Sequence, residues 1–299
     1  MSSLFFPQCS DNIRFFRSHK DVFDIDDLYP LRLFERFAEV TEHGVVECST
    51  KIRQGRIYAA RFYLEQKPSF IRLAASLDYF RQVGMRADIK LDFRQLEQFL
   101  RGYDVSQAGS MLAGVDARRE ISTTCLKFHL ASNSFGRKLQ EAIDLSGICH
   151  GLDFLRMTDA AIIGFDFHLD GRTAIELYAD FDLEGLQLAS VRQFLATRLS
   201  PNAMRLIKES TRFIIGLSKN NPSNVLYFVP KNSGDFISGL HNGYASHIHA
   251  YYRHQTDVFL TFVGCQEAEV AEGYIDNLNL YYRGTKYTKS GCARQGGYS

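Results

Sequence analysis

Three basic residues, Lys51, Arg61 and Lys127, sit where strand alternation would place them on one face with several tyrosines. Successive side chains of a strand point to opposite sides. Glu47, Ser49 and Lys51 therefore share a face, and Val46 and Cys48 take the apolar one. The same alternation joins Arg61 to Tyr63, Lys127 to Cys125 and His129, Glu176 to Tyr178, Val225 to Tyr227, and Asn279 to Tyr281 and Arg283. A lone buried cation is costly to desolvate, so several together call for an anion, and phosphate is the common partner of Lys and Arg. Aromatic faces stabilise a desolvated cation by roughly 0.5–2 kcal/mol each. A surface that offers both suits a diphosphate whose departure leaves a carbocation. The bland arrangement of the same residues has Lys51, Arg61 and Lys127 reaching solvent or pairing with Glu47 and Glu176.

Such a surface needs strands to carry it, and the pattern supplies ten. Runs 45–52 and 56–64, 110–116 and 121–130, 160–169 and 173–181, 211–219 and 225–230, and 258–265 and 274–283 form five pairs. After the first pair they begin about 50 residues apart, a period that marks a structural repeat. Gln54-Gly55, Asp170-Gly171 and Asn220-Asn221-Pro222 stand at three of the tips, where turn residues belong. Between pairs, Leu31, Phe34, Phe37 and Ala38, then Leu139, Ala142 and Ile143, then Leu188, Val191, Phe194 and Leu195 fall at helical spacing. The expected class is α+β: a closed antiparallel sheet of ten strands from five repeats, with helices on the outside.

Composition fits one large domain over residues 1–299, with a mobile Gly/Ser-rich tail at 290–299. With 35 basic and 34 acidic residues the net charge is +1, which supplies no general field for nucleic acid or an anionic membrane. No apolar run approaches the ~18–20 residues of a membrane span, and the reading is cytoplasmic. Cys9, Cys48, Cys125, Cys149, Cys265 and Cys292 lack zinc-type spacing and read as reduced thiols. His241, His247, His249 and His254 concentrate in one predicted helix, yet His247 and His249 point to different faces, so no metal site is assigned. The acidic run Asp24-Ile25-Asp26-Asp27 reads as N-capping of the following helix; it is not the DDxxD motif of isoprenoid synthases.

Several segments, in matching order and spacing from about Tyr29 to Tyr287, resemble the cyanobactin peptide prenyltransferases. They are YPLRLFERF, ECSTKI, AARF, LKFHL, IGFDF, IELYA, GLSKNNPSNVLYF and LYYR. The resemblance implies the ABBA barrel, with the reaction in its lumen. It implies transfer of a C5 or C10 isoprenyl group, from dimethylallyl or geranyl diphosphate, to a side chain of a linear or macrocyclic ribosomal peptide. Carried over residue by residue, it makes Lys51, Arg61, Lys127, His129 and Lys219 the diphosphate ligands. Tyr178, Tyr227 and Tyr281 become the shield of the allylic cation, and Glu47 the carboxylate that takes the acceptor's proton. Ile214, two residues before the Gly of GLSK, takes the place of a gate on donor length and favours C5. Phe228 and Phe262 stand in the acceptor pocket, where relatives carry other side chains. Tyrosine oxygen is the first choice of acceptor, with Trp or Arg as alternatives. No cofactor is obligatory in this picture, and Mg2+ is an optional companion of the diphosphate. A barrel that binds isoprenyl diphosphate or peptide without catalysis is the alternative.

Overall fold

The computed structural model describes residues 11–41, 44–221, 223–255 and 257–284; Cys9, Pro222, Cys292 and the expected tail at 290–299 lie outside them. Ten strands occur in chain order: β1 (Val45–Arg53), β2 (Arg56–Gln66), β3 (Ser110–Asp116), β4 (Cys125–Ser132), β5 (Ala161–His168), β6 (Thr173–Phe181), β7 (Ser210–Leu217), β8 (Val225–Pro230), β9 (Val258–Gln266) and β10 (Leu278–Gly284). Each pairs antiparallel with its sequence neighbours, and β1 closes the barrel on β10. Gln54 and Gly55 take φ of 49° and 69°, the left-handed pair that a two-residue hairpin with the native twist requires.

Alternation divides the wall into two surfaces. The outward set, including Val46, Cys48, Phe62, Phe128, Phe165 and Phe213, is fully buried or nearly so beneath the helices. Phe62, for example, lies 4.6 Å from Phe16 and 5.9 Å from Phe34, both on helices outside the barrel. Leu31, Phe34, Phe37 and Ala38 are all buried on the helix Leu31–Val40, as their spacing predicts. Val191 and Leu195 are buried on Ala189–Arg198, whereas Leu188 caps that helix and is exposed.

The inward set alternates between strands in size. Ser49 on β1, Gly114 on β3, Gly164 on β5, Gly216 on β7 and Gly264 on β9 each face large or polar side chains on the even-numbered strands: Ser49 meets Arg61 and Tyr281, Gly114 meets Tyr63 and Lys127, Gly164 meets His129 and Glu176, Gly216 meets Tyr178, and Gly264 meets Tyr227. The rings lie down over these small residues. A Cβ at Gly264 would stand 2.8 Å from Tyr227 Cε1, and one at Gly216 would stand 3.1 Å from both Tyr178 and Tyr227. Glycine here permits close approach of a ring to the backbone.

Three sequence expectations are corrected by local structure. The run 121–130 opens with a 3-10 turn, Ile121–Thr123, before β4 begins. The run 274–283 starts late because Glu269 holds the preceding loop, its Oε2 accepting from the backbone N–H groups of Asp276 and Asn277. The acidic run does not cap the helix Leu31–Val40, whose N-cap is Pro30; Asp27 pairs with Arg32, and Asp26 with Arg119 at 3.2 Å.

Candidate active site

The lumen holds a cavity of ≈ 660 Å³. Toward the tips of the β1–β2 and β3–β4 hairpins lie Lys51, Arg61 and Lys127. Two of them already have carboxylate partners that the alternation puts on the same face but that sequence reasoning did not single out. Arg61 donates Nε and Nη2 to Asp116 Oδ2 at 3.0 and 2.7 Å, and Nη1 to the Tyr281 hydroxyl at 3.2 Å. Arg118, stacked 4.9 Å over the ring of Tyr58, holds the other Asp116 oxygen at 2.7 Å. Lys127 is paired with Asp166. The partners are thus Asp116 and Asp166 rather than Glu47 and Glu176, because register sets Asp116 directly opposite Arg61 and Asp166 directly opposite Lys127.

Lys51 has no ion-pair or hydrogen-bond partner among the described residues. Burial, reinforced by the nearby Arg61 charge, brings its ammonium down to about 8. His129 lies on the same wall with Nε2 buried and without a hydrogen-bond partner. Burial and the Lys127 charge lower its pKa to about 3, so it faces the lumen as neutral imidazole.

An arc of rings runs along the middle of the lumen. Tyr63 and His129 are 5.5 Å apart, His129 and Tyr178 5.8 Å, Tyr178 and Tyr227 5.9 Å, and Tyr227 and Tyr281 6.2 Å. The Tyr178 hydroxyl donates to Glu176 Oε2 at 2.5 Å. Glu176 is held below the usual carboxylate range by Lys127 and by this hydrogen bond, against the opposing effect of its burial. Phe262 meets Tyr281 edge-on at 6.2 Å and lines the cavity.

At the far end stands Glu47, 3% exposed. Its Oε2 accepts from Thr261 Oγ1 at 2.9 Å and from Arg283 Nη2 at 3.1 Å. Burial raises its pKa, and the Arg283 charge only partly offsets that. Asp182 and Phe259, both exposed, line the cavity here and mark where it meets solvent.

The structure brings Glu47, Lys51, Arg61, Lys127, His129, Tyr178, Ile214, Tyr227, Phe262 and Tyr281 around this one cavity. It excludes two residues. Lys219 follows the end of β7 and is exposed, its aliphatic chain beside Gly147. Phe228 has the parity opposite to Tyr227 and packs outward, 5.5 Å from Phe213 and 5.6 Å from Phe236. That parity was legible in the sequence. Among the described residues, no group of three or more His, Cys, Asp or Glu side chains is placed to hold a metal ion. His241 precedes the helix Gly243–Arg253, and His254 caps it. Among these residues no helix is long and apolar enough to cross a membrane.

The model of a family of unknown function, DUF5838, matches residues 10–284. No curated protein matches the sequence. Among solved structures, the chain is similar to the NotF prenyltransferase at 11% identity and a TM-score of 0.54, covering 94% of this chain and 96% of that one. It is also similar to a 6-dimethylallyltryptophan synthase from Micromonospora olivasterospora in complex with DMASPP and Trp, at 12% identity and a TM-score of 0.52, covering 79% of this chain and 80% of that one. A further structure of a 6-dimethylallyl tryptophan synthase has the same identity and TM-score and covers 79% of each chain. At such identities the likeness establishes the fold, which is the ABBA barrel.

Proposed function

This chain belongs to the family of unknown function DUF5838, and we propose that it is a prenyltransferase acting on peptides. It would move a C5 isoprenyl group from dimethylallyl diphosphate to a side chain of a linear or macrocyclic ribosomal peptide of the cyanobactin type. The observation that carries this reading is the order of groups along one lumen: cations, then an arc of tyrosines, then a buried carboxylate. The ABBA-fold proteins it resembles include one solved with DMASPP and Trp, which supports a prenyl donor and an acceptor as the ligands of this chain too.

In this reading Lys51, Arg61 and Lys127 hold the diphosphate and neutralise the charge that grows as the C–O bond breaks. Neutral His129 contributes a hydrogen bond through its unpartnered Nε2. Tyr178, Tyr227 and Tyr281 cover the allylic cation and keep water away. Glu47 takes the proton from the acceptor. No cofactor is obligatory, and Mg2+ enters only with the diphosphate. The enzyme works in the cytoplasm, without nucleic acid or membrane as partner. Incubation with dimethylallyl or geranyl diphosphate and a mixed peptide library, read by mass spectrometry and by diphosphate release, tests the whole reading. The absence of both prenylated product and released diphosphate would sink it.

Two further expectations concern the donor. Ile214 lines the cavity between Tyr227 and Asp180, so it can limit the length of the donor. Ile214→Gly should admit geranyl diphosphate, each added CH2-sized group contributing about 0.8 kcal/mol where the space is dry. Competition between the two donors checks it: a C5-to-C10 product ratio unchanged from wild type would remove Ile214 from the gate. Lys51 loses its charge as pH rises through about 8. Donor kcat/KM, which reports groups of the free enzyme, should therefore fall above that pH, and Lys51→Met should be slower and flat over the same range. A wild-type profile without that limb would take Lys51 out of the donor site.

A further inference from the structure

We propose that the acceptor is a guanidinium, an arginine side chain of the peptide held between Glu47 and Glu65. The inference rests on prenyl transfer in this lumen as proposed above, and it begins from a guanidinium that is already there. Arg283 reaches Glu47 Oε2 through Nη2 at 3.1 Å and Glu65 Oε2 through Nη1. The two carboxylates, from β1 and β2, are thus spaced to take opposite sides of one planar, forked cation. A lysine ammonium is a compact point charge and has no fork to match this spacing.

The resident guanidinium is imperfectly held. Its Nε is buried without a hydrogen-bond acceptor among the described residues, and its side chain, 21% exposed, comes from near the end of β10. It can yield its place and move toward solvent. The charge at this end also leaves room for another cation. Among the described residues, Glu47, Glu65, Asp180 and Asp182 at this end stand with Arg212 and Arg283, and Arg212 is committed to Asp180 through its Nε at 2.7 Å. Phe262, with the Arg212 guanidinium 6.0 Å over its ring, already packs against one flat cation.

The step balances with groups on the page. The donor C–O bond breaks, and its electron pair leaves with the diphosphate. A guanidine nitrogen forms the new N–C bond while its N–H proton passes to Glu47. The alkylated guanidinium keeps one positive charge, and the Glu65 carboxyl stays beside it. Burial raises the Glu47 pKa, which favours that transfer.

The test uses full-length protein, dimethylallyl diphosphate and hexapeptides that differ at one position: Arg, citrulline, Lys, Tyr or Trp. Addition of C5H8 to the Arg peptide alone supports the inference, since citrulline has the shape without the charge. Modification of Tyr or Trp with Arg untouched overturns it and leaves prenyl transfer standing. Release of diphosphate with no peptide modified likewise overturns it. Failure to turn over the donor at all overturns both readings. In a second measurement, Glu65→Gln should raise KM for the Arg peptide at least about tenfold, the loss expected for one charge-assisted contact, with donor KM and Tm unchanged. An unchanged peptide KM would leave Glu65 as a structural partner of Arg283 and reject the grip.

Discussion

Glu47→Gln is expected to lower kcat by about 10²–10⁴-fold while leaving the donor KM unchanged, the range usual for loss of a positioned acid or base. Glutamine keeps the shape and can still accept the Thr261 hydroxyl, so packing is preserved and the ability to take a proton is not. The pH profile adds an independent readout. Burial raises the Glu47 pKa above its ordinary 4.5, so activity should fall as pH drops through that raised value and protonates the base. The variant should lose this acid limb. Equal kcat in variant and wild type would reduce Glu47 to an ion-pair partner of Arg283.

The second large effect is expected at Lys127, where stability and activity must be separated. Lys127 and Asp166 form a buried pair, each side chain about 10% exposed. Lys127→Met would strand the Asp166 carboxylate, and removing one member of such a pair costs about 3–5 kcal/mol. Adding Asp166→Asn should recover much of that in urea unfolding, because no unpaired charge then remains buried. Donor turnover should stay low in the double variant, since the cation that meets the diphosphate is still missing. A stable double variant with wild-type donor kinetics would show that Lys127 serves the fold alone.

Strand alternation makes the barrel and most of its lumen legible in the sequence. Glu47, Arg61, Lys127, Tyr178, Tyr227 and Tyr281 needed only a parity and a closed sheet to converge. Partnership across strands was harder to read. Asp116 and Asp166 are far in sequence from Arg61 and Lys127, and register alone decides that they lie alongside. Lys219 rests on likeness alone, and it lies beyond the end of β7 at Leu217, where the wall of the lumen has stopped. Phe228 was placed by likeness against its own parity, and the parity prevailed. Glu65 and Arg283 were both visible as polar residues, but nothing local says that one bridges to the other across β1.

The size alternation of the inner wall divides labour between the two strands of each repeat. Odd-numbered strands present serine or glycine at the level of the rings, and even-numbered strands present the reactive or aromatic side chain that leans over them. At that level one strand of each pair is scaffold and the other is equipment, while above and below it the odd-numbered strands also carry Glu47, Lys51, Ile214 and Phe262. At the level of the rings, new chemistry can be installed by exchanging side chains on five strands, with hydrogen-bonded register and outer shell left as they are. The converse is a vulnerability: one added methyl at Gly216 touches Tyr178 and Tyr227 together, so a change on a scaffold strand would retune two tools of the site at once.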